Sequence, residues 1–358
     1  MIMNYSFSYI IRFLLFTIIY LMVFYYPLQR VLALMDHRDS MTLQIIAYIL
    51  LLLPFIGTLM MKVKETITTR VIGTISMLWL GYSFILFSIV VVFEVINLMI
   101  PIDFELLGII LLILSIGITL YGTYNAFTLY PKHIYINSSK IGRNYKFAQI
   151  TDVHIGSRTP WFLKKVVDKI KTLNVDFLVI TGDLVDVKNV LKQQLSALST
   201  LSIPVFYVSG NHERYVDLEQ IYENLKANNV DVLRNEKRNF GEIEIIGIED
   251  EHAKDTVEKA LSKIKTNDKK FTLLLYHKPE GFEYSVKRKI NLKLAGHTHN
   301  GQIFPFNYLV KLEFKQVQGL FEDKGFYSYV SPGTGTWGPT IRLGSKNEIS
   351  VFHLVKEK

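Results

Sequence analysis

Hydrophobic residues follow two regimes along this chain. Before residue 130 they form long apolar runs, roughly 10–26, 43–61, 72–92 and 106–124. Each is near the ~20 residues a helix needs to cross a bilayer. Pro54, Gly57, Gly73, Gly81, Gly108 and Gly117 interrupt them, which membrane helices tolerate, and Tyr and Phe flank their ends as interfacial residues do. Run length and the near-absence of internal charge set them apart from a buried soluble helical core. A cleaved signal peptide fits poorly: Arg12 is a weak basic start, Val31-Leu32-Ala33 a poor cleavage site, and three more runs follow. The pattern predicts a four-helix transmembrane region over residues 1–130.

After Tyr130-Pro131 the pattern changes to short, alternating elements. Residues 131–144 read as a juxtamembrane strand and turn, and 145–358 as an α/β domain. Strands are predicted at 146–150, 177–181, 205–209, 242–248, 271–276, 291–295, 326–331 and 348–355. Helices are predicted from Pro160 and over 190–201, 218–229 and 256–265. Such alternation gives either one mixed sheet or two packed sheets with helices outside.

Charge adds an address and an orientation. Residues 1–130 hold six basic and six acidic residues, so the formal net charge of +8 belongs to the rest of the chain. A cationic domain beside a membrane favours anionic head groups or phosphate substrates. No basic stripe with interleaved aromatics points to nucleic acid. On the side of the N-terminus lie Arg12, Lys62, Lys64, Arg70, Lys132, Lys140, Arg143 and Lys146. The other side has only Arg30 and Arg38, offset by Asp36 and Asp39, and a third loop with Glu94, Asp103 and Glu105. That asymmetry predicts a multi-pass protein of the cell membrane with its C-terminal domain in the cytoplasm. The absence of cysteine excludes disulfides and thiolate ligands.

Candidate chemistry stands where the predicted strands end. The strand before Thr151 runs into Asp152-Val153-His154, and FLVIT into Gly182-Asp183-Leu184-Val185-Asp186. VFYVS leads to Gly210-Asn211-His212-Glu213, FTLLLY to His277, and NLKLA to Gly296-His297-Thr298-His299. Ligands of open α/β sheets bind beyond the carboxyl ends of the strands. Five of the nine histidines fall on these turns, where chance placement would scatter them. Carboxylate, imidazole and amide donors without sulfur suit Mn²⁺, with Fe and Zn²⁺ also compatible. Asp152, His154, Asp183, Asn211, His277, His297 and His299 are too many for one ion and enough for two sharing a carboxylate. Two metals ~3.5–4 Å apart can clamp both oxygens of an in-line displacement at phosphorus and acidify a bridging water.

The ordered set D-x-H, G-D-x-x-D, G-N-H-E, a lone His and G-H-T-H resembles the calcineurin-like metallophosphoesterases over about residues 145–358. The resemblance implies an α/β/β/α double-sheet sandwich and hydrolysis of a phosphomonoester, phosphodiester or diphosphate by a metal-bridging hydroxide. It implies that Asp152, His154 and His299 hold one ion, Asp183 bridges, and Asn211, His277 and His297 hold the second. By the same resemblance His212 bonds the phosphoryl oxygen or protonates the leaving group, and Asp186 orients its imidazole. Val187-Lys188 replaces the Arg-Gly that follows this Asp in the family's protein phosphatases, which argues against a phosphoprotein substrate. The membrane-anchored arrangement, with SPGTGTWGP (331–339), looks more like the bacterial membrane-associated branch, some members of which act on lipid-linked or nucleotide-linked diphosphates. Trp337 is a candidate for lining the substrate cleft, and Trp161-Phe162 for core packing or a groove contact. Arg342 is a candidate for phosphate binding and equally for a surface ion pair. Expected partners are the bilayer and a phosphate-bearing small molecule or lipid. The complete ligand set weighs against a membrane-tethered binding protein on a catalytically weak fold. Spans almost free of charge weigh against a transporter.

Overall fold

A computed structural model of the chain describes residues 2–60, 66–102, 106–188, 190–323 and 325–357. Lys62, Lys64, Asp103 and Glu105, which enter the charge count, lie outside the described residues, as does Met61 at the end of the second run. The chain divides into two compact units, Met1–Tyr124 with Gly338–Ile341 and Asn125–Trp337 with Arg342–Lys358.

The first unit is helical: α1 (Ile2–Phe24), α2 (Tyr26–Leu34), α3 (Met41–Met60), α4 (Ile67–Met99) and most of α5 (Leu107–Phe127). Pro27, early in α2, separates it from α1 because proline cannot donate to the preceding turn. Four spans, Ile11–Leu34, Met41–Met60, Thr68–Met99 and Leu107–Phe127, are long and apolar enough to cross a membrane. Much of their apolar surface is exposed, including Phe13, Ile19, Leu59, Ile113 and Leu120. Such an outward face suits lipid rather than water. Inside, Val31, Leu86, Val90, Phe93, Leu107 and Leu111 form a small core. A Cβ on Gly57 would stand 2.2 Å from the Ser76 Cβ, so glycine lets α3 and α4 approach closely.

The second unit runs β1 (Leu129–Ser138), β2 (Tyr145–Ile150), α6 (Pro160–Lys171), β3 (Phe177–Thr181), β4 (Val205–Val208), α7 (Leu218–Lys226), β5 (Val230–Val232), β6 (Glu236–Phe240), β7 (Ile243–Gly247), α8 (Thr256–Lys263), β8 (Phe271–Leu275), α9 (Phe282–Lys287), β9 (Leu292–Ala295), α10 (Phe306–Glu313), β10 (Gly319–Asp323), β11 (Phe326–Val330) and β12 (Asn347–Lys356). It forms two six-stranded sheets, in the orders β1-β12-β2-β3-β4-β5 and β10-β11-β9-β8-β7-β6. The 131–144 segment is therefore integrated: β1 pairs with β12 along its whole length.

Three apolar clusters make four layers. Phe147, Phe177, Val179 and Phe206 of the first sheet meet Leu273, Leu275, Leu294 and Tyr329 of the second. The outer face of the first sheet packs on Phe162, Leu163, Val166, Val167 and Ile170 of α6 and on Ile221 and Leu225 of α7. Val257, Ala260 and Leu261 of α8 cover the second. The result is an α/β/β/α sandwich. Its inner strands are buried on both faces, which is why they read as unbroken apolar runs.

One predicted helix is not formed. Residues 190–201 carry two 3₁₀ turns, Lys192–Leu195 and Leu198–Thr200. Ser196, Ser199 and Thr200 hydroxyls donate to the carbonyls three residues back at 2.7, 2.8 and 2.7 Å. That local bonding competes with an α-helical ladder.

Candidate metal centre

The functional side chains come from the carboxyl ends of β2, β3, β4, β8 and β9, brought together across both sheets. Asp152, His154, Asp183, His297 and His299 all take left-handed backbone, with φ between 50° and 74°. Asp and His tolerate this better than most residues. It still costs of order 1–3 kcal/mol each, a strain that clusters at functional sites. Gly182 and Gly210 let the two turns meet: a Cβ on Gly182 would lie 2.6 Å from the Gly210 nitrogen, and one on Gly210 2.1 Å from Asp183 Oδ1. Gly296 clears Asp152 in the same way, its virtual Cβ 2.3 Å from Oδ2.

Three overlapping groups of donors result, each with its atoms within 4.8 Å of one another: Asp152, His154 and His299; His154, Asp183 and His212; Asp183, His277 and His297. Asp152 Oδ1 is 3.2 Å from His299 Nε2. Asp183 Oδ2 lies 3.1 Å from His277 Nε2 and 4.0 Å from His154 Nε2, between the outer two groups. Ring nitrogens also face one another, His154 Nε2 to His299 Nε2 at 3.1 Å and His277 Nε2 to His297 Nδ1 at 3.2 Å. On the β4 turn, Asn211 Oδ1 is buried without a hydrogen-bond partner. Converging ring nitrogens and an orphaned amide oxygen beside buried carboxylates are what divalent cations satisfy, so the donor set fits the metals it suggests.

Supporting contacts fix the ligand atoms. His277 Nδ1 pairs with the Thr181 carbonyl at 2.8 Å, directing Nε2 inward. The Thr151 hydroxyl donates to Asp152 Oδ2 at 2.8 Å, and the His297 amide also faces that carboxylate. Asp186 departs from expectation. It stands behind His154, with Oδ2 3.5 Å from Nδ1, and accepts from the Ser157 amide and hydroxyl at 3.1 and 2.6 Å. Among the described residues no hydrogen bond or ion pair joins it to His212, on which it acts only as a more distant charge. The turn after β3 bridges through Val185 to Ile155, which carries Asp186 beneath the first ligand turn.

Glu213, quoted in the sequence motif but given no role, is fully buried. It accepts from the amides of Asp183, Leu184, Val185 and Gly210 at 3.0, 2.6, 3.0 and 2.8 Å. Four donors on one carboxylate clamp the β3 turn to the β4 turn. Its place in Gly-Asn-His-Glu was the only signal available.

Arg342 is neither a surface residue nor ion-paired. Its buried guanidinium donates to the carbonyls of His299 at 2.9 Å and Gly335 at 2.6 Å, and to Asn347 Oδ1 at 3.0 Å. It braces the His299 turn. The Gly-rich loop also turns inward: the Thr334 and Gly335 amides donate to the carbonyls of Thr151 and Asp152 at 2.8 and 3.0 Å. Trp337 at its end is 55% exposed, and its ring meets His212 at 5.5 Å. Of the pair after the first motif, Phe162 is core and Trp161 is exposed.

Electrostatics follow from this packing. Burial opposes charge on Asp152, Asp183 and Asp186, yet the imidazoles facing them hold all three carboxyls below the ordinary range. Burial would also lower His277, but Asp183 raises it to about 10. Burial, with His277 beside it, pushes His297 down to about 3. Burial takes His299 to about 4 despite the pull of Asp152. His212 is lowered by burial.

Comparison with known proteins agrees with this geometry. The calcineurin-like phosphoesterase family matches residues 145–301. An uncharacterized metallophosphoesterase of Campylobacter jejuni is 33% identical over 273 residues, 73% of this chain and 72% of that protein. One from Helicobacter pylori J99 is 36% identical over 230 residues, 60% of this chain and 61% of its own. A Bos taurus transmembrane protein with metallophosphoesterase domain is 33% identical over 234 residues, 57% of this chain and 52% of its own. With its ligand turns in the family's order on a double-sheet sandwich, the chain belongs to the calcineurin-like metallophosphoesterases.

Proposed function

We propose that this chain is an integral-membrane, metal-dependent phosphohydrolase that cleaves a phosphomonoester, phosphodiester or diphosphate. The observation that carries the reading is the position of Asp183 Oδ2 between two donor groups. Asp152, His154 and His299 would hold one divalent ion, Asn211, His277 and His297 a second, and Asp183 both. Oxygen and nitrogen donors without sulfur favour Mn²⁺, with Fe or Zn²⁺ compatible. Such ions supply Lewis-acid stabilisation of charge on the phosphoryl group and lower the pKa of water.

The chain's own residues do the rest. Asp186 and the Thr181 carbonyl aim the His154 and His277 rings, and Glu213 fixes the distance between the Asp183 and Asn211 turns. His212 is a partly exposed imidazole of the centre, with Nε2 3.9 Å from Asp183 Oδ2. Its lowered pKa keeps it neutral near pH 7, which favours donating a hydrogen bond to a phosphoryl oxygen over transferring a proton. Trp337 beside it forms one wall for the leaving group. Lys and Arg asymmetry of the loops assigns the unit to the cytoplasm, and a reporter fused after Lys358 tests that side.

The purified full chain is expected to hydrolyse bis-p-nitrophenyl phosphate with stimulation by Mn²⁺. Full activity after stringent chelation would overturn the reading.

A further inference from the structure

Straight after the His299 turn comes α10, FNYLVKLE, in which no residue is buried. Pro305, Asn307, Val310 and Phe314 are half-buried, so one flank of the segment rests on the domain. The other flank is open: Phe304 is 47% exposed, Tyr308 59%, Leu309 56% and Leu312 85%. Elsewhere in the second unit large exposed apolar residues such as Tyr135, Leu191 and Tyr215 do not recur along one short segment in this way. A contiguous set marks a surface for a partner or a membrane.

Exposed Lys311 and Lys315 flank this face, with Glu313 the acidic residue among them. Lys311 Nζ lies 5.3 Å over the Tyr308 ring, its stem along the apolar face and its charge free to reach outward. Beside α10 a groove is lined by Asn300, Lys311, Phe314, Lys315, Val317 and Phe321. The Phe314 ring meets the His297 ring edge-on at 5.4 Å, so the groove wall continues into the histidine turn. Cationic and amide groups alongside phenylalanines suit a molecule with a phosphate head and an apolar tail.

We propose that α10 lies in the head-group layer of an anionic bilayer and seats the metal centre against it. The substrate is then a phosphate-bearing amphiphile, a clause that rests on the phosphohydrolase reading above. Aromatic and leucine side chains on one face, with lysines at its edge, are the composition of an interfacial helix. Eight residues alone would bind lipid weakly. Four helices able to cross a membrane hold the chain at a bilayer, and tethering turns a weak second contact into an intramolecular one. The excess positive charge of residues 131–358 favours anionic lipid over a neutral surface.

The chain has no cysteine, so a nitroxide can be placed singly at Leu312→Cys and, for reference, at exposed Lys263→Cys on α8. The full chain is reconstituted in nanodiscs of phosphatidylcholine and phosphatidylglycerol. The Leu312→Cys label is expected to favour collision with dissolved oxygen over a water-soluble nickel chelate, the reverse of Lys263→Cys. A water-like signature at Leu312→Cys overturns the proposal. Shielding from both relaxants does so too, because protein then covers the face. Leu309→Asp with Leu312→Asp is expected to leave bis-p-nitrophenyl phosphate hydrolysis unchanged. The same pair should lower turnover of long-chain phosphatidic acid in vesicles at least about tenfold, equivalent to 1.4 kcal/mol. Equal loss on both substrates, or no loss on either, overturns the lipid assignment. Failure of the parent chain on both substrates sinks the phosphohydrolase reading, while the nitroxide result still decides the membrane contact.

Discussion

The first sheet brings acids to the centre, and the second brings only imidazoles. Asp152, Asp183 and Asp186 follow β2 and β3, and their turns are held by backbone amides and by Glu213. His277, His297 and His299 follow β8 and β9 and are fixed by a carbonyl, by Arg342 and by the facing carboxylates. The division has an electrostatic cause. Carboxylates left together without counter-charge would raise one another's pKa, whereas the imidazoles of the opposite sheet, with His154 of their own sheet, hold them ionised. Each sheet alone is an incomplete site, and the inter-sheet core sets the distance between the halves.

The sharpest way to break this comparison is Asp183→Asn, which alters the acid that stands between His154 of one donor group and His277 of the other. Hydrolysis of bis-p-nitrophenyl phosphate at saturating Mn²⁺ is expected to fall at least about 10²–10³-fold. Near-normal turnover would show that the sheets do not converge on this residue. Next in size is Asp186→Asn, expected to weaken Mn²⁺ activation about 10–100-fold, as loss of a ligand-orienting partner does. Because Asp186 pairs with His154 and acts on His212 only as a more distant charge, the pH profile at saturating metal should move only slightly. A profile that moves to match His212→Asn would restore the partnership expected from the sequence.

Among the second sheet's histidines, His277 would make metal binding pH-dependent. Asp183 holds His277 up to about 10, so the metal-free centre is protonated there at neutral pH. Binding at pH 7 is expected to release about one proton, with affinity falling about tenfold per unit as pH drops. Calorimetry in two buffers of different ionisation enthalpy measures this, and equal enthalpies in both would refute it. The smallest effect belongs to Lys293 on β9, buried with its ammonium near the Lys278 carbonyl at 3.2 Å and the Glu280 carbonyl. Burial lowers it to about 7. Above that pH the unfolded chain binds the extra proton, so native stability rises with pH until the ordinary lysine range. Lys293→Met should flatten that rise, at roughly 2–4 °C of unfolding midpoint per kcal/mol. Parallel curves for the two proteins would exclude the linkage.

Much of the centre was legible because each turn follows an apolar run. A strand buried on both faces shows its end as an abrupt change to Gly, Asp, Asn or His, and five such ends were visible. The long runs before residue 130 were equally plain, since length and missing charge are properties of sequence alone. Less legible were the pieces whose meaning depends on a distant partner. Asp186 sits three residues from Asp183, but its partner was decided by the Ile155–Val185 bridge. Arg342 read equally as a phosphate binder or a surface ion pair because a buried guanidinium is rare, and it is the acceptors of His299, Gly335 and Asn347 that make its burial acceptable. The 190–201 segment has helical spacing, yet its hydroxyls satisfy local carbonyls in 3₁₀ turns.

By itself the sequence determined the apolar spans, the alternation of strand and helix, and the kinds of donor at each strand end. These follow from hydrophobic period and residue chemistry, which are local. Only the tertiary structure decided that the acids of the first sheet meet imidazoles of the second, which carboxylate each imidazole faces, and that an apolar helix stands open beside the histidine turn. Those depend on packing between segments that are separated in the chain, by as much as 145 residues, which no local pattern encodes.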